Sequence, residues 1–160
     1  MLFILIALVV VVSVLHVIVS RQPRTLPAVL GVVLQYYLLL LVGVSGVFAF
    51  TGHAFKADDV ARRIGWPTGN PFQAEVAAAN LAIGVLGIAS VWFKDGFRLA
   101  AALAYSVFMI GAGLVHLQQQ SLGNHAELNS GGMILVTDLV MPVVLLALVL
   151  AQKRLAPARA

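Results

Sequence analysis

The residues best suited to chemistry are histidine, carboxylate and amide side chains near the ends of long apolar segments. Histidines and carboxylates exchange protons and bind metals. An ionisable residue inside a membrane segment is costly to bury, so it marks a functional site by default. Glu75, His116 and Asp138 are predicted to lie at one depth, with histidines in the adjoining loops. The candidate outer polar site, its two weaker members last, is His53, Glu75, His116, Asp138, Asn80 and His125.

Asp138 is the most informative of these residues because a proline follows it four positions later. Pro142 has no N–H to bond the Asp138 carbonyl, and it tends to kink a helix. Broken helices in membranes usually line cavities or binding sites, which favours a functional carboxylate. The structural alternative is a kink satisfied by Thr137 or a neighbouring helix, with Asp138 bonded to an asparagine or a histidine.

Glu75 and Asn80 each have a structural interpretation beside the functional one. A carboxylate near a helix N-terminus is stabilised by the helix dipole, by about 0.3–1 kcal/mol, so Glu75 is equally well a solvated interface residue. Asn80 shares a helix face with Gly84 and Gly87. Such a small-residue stripe favours helix packing over ligand binding.

His53 and His116 end two apolar segments on the same side, which raises a metal or haem alternative. Two neutral imidazoles from facing helices can ligate haem iron, or a metal together with Glu75 or Asp138. The chain shows no HExxH spacing. It also lacks cysteine, which excludes zinc–thiolate and iron–sulfur ligation.

The composition indicates a membrane protein. Of 160 residues, 61% are hydrophobic and only 10% are charged, against roughly half and a quarter in a soluble domain. The basic residues are scattered at segment ends rather than clustered, so no nucleic-acid partner is expected. The expected partner is the lipid bilayer.

Five apolar runs, each close to the roughly 20 residues that cross a bilayer, predict an all-α bundle of five transmembrane helices in one domain, residues 1–160. The first run has no positive residue before it and no clear cleavage site, so it is predicted to be an uncleaved span. The runs lie at about 2–20, 26–50, 72–93, 97–117 and 132–151.

The distribution of basic residues predicts the orientation of the chain. Positive residues concentrate in the inner loops of membrane proteins, which here favours an outer N-terminus and a cytoplasmic C-terminus in a bacterial-type inner membrane. The basic residues then placed inside are Arg21, Arg24, Lys94, Arg98, Lys153, Arg154 and Arg159. Those placed outside are Lys56, Arg62 and Arg63.

The polar stretch 51–80 predicts a short outer interfacial amphipathic helix at about 56–64, ended by Gly65 and Pro67. Two ion pairs at i, i+4 are expected on it, Asp58–Arg62 and Asp59–Arg63. Trp66 is expected at the headgroup boundary.

The two polar segments that lead into spans three and five are predicted separately. In the first, Asn70 and Pro71 are a start signal for span three, with Gln73 reaching back to the N-cap. In the second, QQQSLGNHAELNSGG is predicted to be a loop with a helical turn near 125–128.

From about Gly43 to Leu117 the chain resembles the DoxX-like superfamily of small bacterial membrane proteins. The likeness rests on a span ending in G-x-x-G, a loop helix, an acid-led span that begins at Glu75, a tight turn and a further span. The corresponding stretches are FKADDVARRIGWP, EVAAANLAIGVLG and FRLAAALAYSVFMIGAGLVH. The stretch GHAF…IGWPTGNPFQAEVAAANL is similar to an uncharacterised branch. This chain has an additional N-terminal span and a long loop before the last span.

The resemblance implies a four-helix core, in a family with subunits of quinone-linked oxidoreductases or partners of oxidative-stress enzymes. Glu75 matches the acidic position of the family. The leading hypothesis is therefore a subunit or partner in a redox-linked membrane assembly, whose polar site binds a partner, a quinone headgroup or a proton-coupled ligand. The alternatives are a metal- or haem-dependent membrane oxidoreductase and a small proton-coupled transporter. The residues do not decide whether the protein is an enzyme.

Overall fold

The computed structural model describes residues 1–21, 24–130 and 132–155, and these residues form helices and turns without strands. Five of the helices are long and apolar enough to cross a membrane, which confirms the predicted all-α, five-span class. The spans are α1 (Leu2–Val19), α2 (Leu26–Phe55), α4 (Phe72–Ala89), α5 (Gly96–Ser121) and α7 (Val136–Leu155). Two short helices at one end are α3 (Ala57–Ile64) and α6 (Glu127–Ser130), and a third, Gly132–Leu135, leads into α7.

Two spans extend further than the apolar runs suggested. Helix α2 continues to Phe55, so His53 lies in its last turn. The sequence had placed this residue in the adjoining loop. Helix α5 continues to Ser121 through a run of glutamines. Glutamine has good helix propensity, so the polar composition of these turns does not end the helix. Arg159, counted in the orientation argument, lies outside the described residues.

Two spans contain π-helical segments, and a hydrogen bond joins the first segment to the residue that follows the second. They cover Tyr37–Val44 in α2 and Val136–Val140 in α7. The Tyr37 hydroxyl donates to the Met141 carbonyl oxygen at 2.7 Å. The expected break at Pro142 thus takes the form of a π-helical turn just before it. Such turns are frequent at functional sites because they shift side chains out of helical register.

Glycines bring α2 and α4 into backbone contact. A Cβ built on Gly87 would lie 2.4 Å from the Gly43 nitrogen, and one on Gly46 would lie 2.8 Å from the Gly84 Cα. Within a bilayer, helix association depends on such close packing because lipid is as apolar as the helix surface. The expected small-residue stripe therefore serves helix contact.

The bundle end that holds the α4–α5 turn is organised by Arg98. Its side chain is 9% exposed. The guanidinium donates to the Ser90 carbonyl oxygen and to Gln35 Oε1, each at 3.0 Å. One cation thereby joins three spans, α2, α4 and α5, at this end.

We expect Gly87→Ala to destabilise the protein, because the added methyl group meets backbone atoms that have no room to yield. Overpacking of this kind costs about 1–3 kcal/mol. The matched control is Gly111→Ala, since a Cβ on Gly111 meets nothing within 4 Å. Unfolding midpoints in detergent measure both variants, and equal midpoints for the two would contradict the proposed α2–α4 contact.

Candidate functional site

The polar end of the bundle, formed by α3, the start of α4, the end of α5 and α6, is centred on the amide of Asn129. This side chain is fully buried. Its Oδ1 lies 2.8 Å from His116 Nδ1, and its Nδ2 donates to the Asn124 carbonyl oxygen at 2.7 Å. The Asn129 carbonyl oxygen accepts a bond from Gln120 Nε2 at 2.6 Å. The network ties the last turns of α5 to α6.

These contacts determine the tautomer of His116. Because a carbonyl oxygen only accepts, the Asn129 atom facing Asn124 has to be the NH₂ group. The amide oxygen therefore faces His116, whose Nδ1 has to carry a hydrogen to bond it. In the neutral imidazole, Nε2 is then an unprotonated acceptor.

The Nε2 atom of His116 faces the carboxylate of Asp138. The Nε2–Oδ2 distance is 3.9 Å, and the two side chains are 13% and 8% exposed. Two proton acceptors that face each other in a poorly solvated place repel unless one of them is protonated. The pair is thus built to hold one proton, on the imidazole or on the carboxylate.

Thr137 offers the carboxylate a second arrangement. Its hydroxyl lies 2.7 Å from Asp138 Oδ1 and 2.9 Å from the Ile134 carbonyl oxygen. The single hydroxyl proton can go to either acceptor. When it goes to Ile134, a protonated Asp138 can donate to Thr137 in return. Both states of Asp138 therefore have a partner.

Trp66 covers His116. The two rings stack with an interplanar angle of 18° and a centroid distance of 6.4 Å. Trp66 reaches this place because α3 ends at Gly65, which has a φ of +81°. The Gly65 and Trp66 amides bond back to Arg62 and Ala61, the Schellman pattern that such a glycine permits. The predicted end of α3 is confirmed, and Trp66 contacts the site itself.

The charged residues of α3 have partners other than those of the two predicted ion pairs. Arg62 pairs with Asp59 at 3.6 Å, and Asp58 Oδ1 accepts the Gly69 amide at 2.9 Å. Arg63 instead makes two bonds to Glu127 of α6, at 2.9 and 3.3 Å. The prediction of i, i+4 pairs was wrong because a planar guanidinium gains more from two charge-assisted bonds across helices.

We call the contacts that join α3 to the α5–α6 segment the latch: Arg63–Glu127, and Asn124 Nδ2 donating to the Ile64 carbonyl oxygen at 3.0 Å. The Arg63 guanidinium holds the pKa of the Glu127 carboxyl below its usual range. Both side chains are exposed, so the ion pair adds little to the stability of the fold. Its main effect is to hold α3 beside α6.

His53 belongs to a separate pair. Its Nδ1 lies 2.7 Å from Oε1 of Gln73, which is 3% exposed. Gln73 was expected to reach back to the N-cap of α4, and this was wrong because its side chain is buried against the end of α2. Just before α4, Asn70 Oδ1 accepts the Phe72 amide at 3.0 Å. Gln73 Nε2 is buried without a partner among the described residues.

The remaining candidates lie apart from the His116–Asp138 pair. His125 is exposed. Asn80 donates to the Val76 carbonyl oxygen of its own helix at 2.9 Å, in agreement with its structural interpretation. Glu75 is exposed and lines an open groove of about 430 Å³, beside the pair's cover, Trp66. The other residues of this groove are Pro67, Asn70, Pro71 and Phe72.

The structure therefore brings together two of the four main candidates. Over the part of the chain that is described, no group of three histidines and carboxylates is placed to hold a metal ion. Sequence reasoning missed Asn129, Asn124 and Gln120. The available signal was the density of amide side chains in the segment that follows His116, since buried amides are able to orient an imidazole.

We expect acid to open the latch. Because the pKa of Glu127 is lowered, the stabilisation that its ion pair with Arg63 gives the latch is fully present above the ordinary carboxyl pKa of about 4.3. That contribution is lost as the pH falls through the lowered value. Spin labels at Lys56→Cys and His125→Cys, in a chain without native cysteine, should then show a broadened distance distribution. Glu127→Gln should broaden it at pH 7, whereas Glu75→Gln should not. A distribution unchanged by Glu127→Gln would show that Arg63 does not hold α3.

Comparison with known proteins places the chain in a family without assigning an activity. No curated protein and no solved structure matches it. One family model matches residues 1–158, nearly the whole chain. This match is compatible with the expected likeness to an uncharacterised group, and it carries no DoxX-like assignment. The chain is a multi-pass helical membrane protein and belongs to the family of unknown function DUF6790.

Proposed function

We propose that this protein is a subunit or partner of a redox-linked membrane assembly, in which the His116–Asp138 pair exchanges a proton with a bound quinone headgroup. The module itself is non-catalytic or weakly catalytic, and electrons come from the redox partner. The polar end faces the outside of a bacterial-type inner membrane, with the C-terminus in the cytoplasm. The proposed DoxX-like kinship agrees with this role.

The observation that carries the proposal is the enforced tautomer of His116. Asn129 Oδ1 accepts the hydrogen bond that His116 Nδ1–H donates, so any second proton has to occupy Nε2, opposite Asp138. An Nε2–H can donate to a quinone carbonyl oxygen, which takes up a proton when the ring is reduced.

The surroundings suit a flat ring at the membrane boundary. The stacked face of Trp66 lies against the imidazole, and offset aromatic stacking adds about 0.5–1.5 kcal/mol beyond area burial. Asp138 lies in the π-helical segment at the start of span α7, and we infer that a ligand dissolved in the lipid reaches it there.

A small proton-coupled transporter is the second candidate. It is favoured by the position of Asp138 within a π-helical segment next to Pro142, since interrupted helices line binding sites in transporters. The metal or haem alternative has less support. His53 is engaged by Gln73 and does not join His116 among the described residues.

The test uses Trp66 as a reporter of quinone binding. The chain has two tryptophans, so Trp92→Phe leaves Trp66 as the sole emitter. In nanodiscs, a short-chain ubiquinone should quench its fluorescence saturably. Asp138→Asn and His116→Gln should each weaken binding about tenfold, as loss of a charge-assisted hydrogen bond predicts.

The matched control is His125→Gln, an exposed histidine at the same end, which should leave the quenching curve unchanged. Quenching that rises linearly and is identical in every variant reports only quinone dissolved in the lipid. That result, together with purification in mild detergent without quinone or partner, would contradict the proposal.

A further inference from the structure

We propose that the groove beside Glu75 binds the ammonium group of an ethanolamine phospholipid. This site goes beyond the proposed proton-exchanging pair because it uses Glu75, a carboxylate that the pair does not use. Three features favour this ligand: the aromatic walls of the groove, its carboxylate and its position at the start of a span.

The walls of the groove are aromatic and rigid. The rings of Trp66 and Phe72 meet at 58° with centroids 5.3 Å apart, and two prolines, Pro67 and Pro71, line the groove beside them. Aromatic faces attract cations through their quadrupole, by about 0.5–1 kcal/mol at exposed sites, and tryptophan is the strongest. The proline rings limit backbone motion, so little order has to be gained on binding.

The charge of the groove is negative. Glu75 is its one ionisable lining residue. The salt bridges among the described residues use Asp59, Glu127 and Asp138 and leave Glu75 without a basic partner. A carboxylate beside two aromatic rings fits a cation better than a neutral or anionic group. A primary ammonium adds three hydrogen-bond donors that a carboxylate can accept.

The position of the groove selects a lipid as the source of the ammonium group. Phe72 is the first residue of span α4, and its side chain is 44% exposed. The groove therefore opens where the hydrocarbon core gives way to the headgroups. A phospholipid with its chains along α4 brings its headgroup to this depth without a separate binding step.

Native mass spectrometry of the full chain, released from nanodiscs of phosphatidylglycerol containing phosphatidylethanolamine, tests this site. We expect retention of the ethanolamine lipid above its bulk fraction. Glu75→Gln and Phe72→Leu should each reduce that preference about two- to fivefold, the size expected for an exposed ion pair or cation–π contact. Asp59→Asn, an exposed carboxylate outside the groove, should leave it unchanged.

Equal retention of both lipids, or a preference that survives Glu75→Gln, would overturn the proposal. A second measurement separates lipid from soluble amine, with the Trp92→Phe protein in nanodiscs of phosphatidylglycerol alone. If tetramethylammonium or ethanolamine shifts Trp66 emission there with the same Glu75 dependence, and the lipid is not retained, the ligand is a soluble ammonium compound and the lipid assignment is wrong. The Glu75→Gln substitution should leave the quenching of Trp66 fluorescence by quinone unchanged. Failure of the lipid proposal therefore does not affect the proposal for the His116–Asp138 pair.

Discussion

The buried carboxamide of Asn129 is the constraint on which the polar end depends. A primary amide has one acceptor and two donors, and burial without partners costs about 1–3 kcal/mol. Here the oxygen meets the His116 ring, the NH₂ group meets the Asn124 carbonyl, and the backbone oxygen meets Gln120. Satisfying this one side chain fixes the end of α5, the turn after it and the tautomer of the imidazole. The direction in which His116 presents its second nitrogen follows from that.

Trp66 connects the two candidate sites of the polar end, the His116–Asp138 pair and the groove of Glu75. The indole stacks with the His116 imidazole, packs against Phe72 and lines the groove of Glu75. The indole is held by the glycine turn at the end of α3, and α3 is held by Arg63 across to Glu127. We therefore expect the exposed latch, which adds little stability, to help hold Trp66 against His116. Below it, the glycine contact of α2 with α4 and the Tyr37–Met141 bond keep the spans in register.

The sequence was sufficient for features that depend on local rules. Span number follows from hydropathy and length, and the end of α3 follows from Gly65, because few other residues adopt positive φ. The partners of individual polar side chains were not accessible in this way. Nothing local distinguishes Arg63 paired within its helix from Arg63 paired with Glu127, far along the chain. The role of Asn129 depends on burial by α5 and α6, which only the tertiary arrangement supplies. His116 and Asp138 were predicted together from depth alone, whereas His53 at the same depth joins Gln73.

Asn129 fixes the Nδ1–H tautomer of His116 and leaves Nε2 as the ring atom that can gain or lose a proton. Nitrogen-15 NMR of histidine-labelled protein in lipid measures it directly, with His116→Gln assigning the resonance. The structure predicts that Nδ1 carries a hydrogen throughout the pH range and that only Nε2 gains or loses one. Asn129→Leu should abolish this restriction, since an apolar side chain offers no acceptor to the Nδ1 hydrogen. A neutral His116 with the hydrogen on Nε2 and a bare Nδ1 would contradict the account.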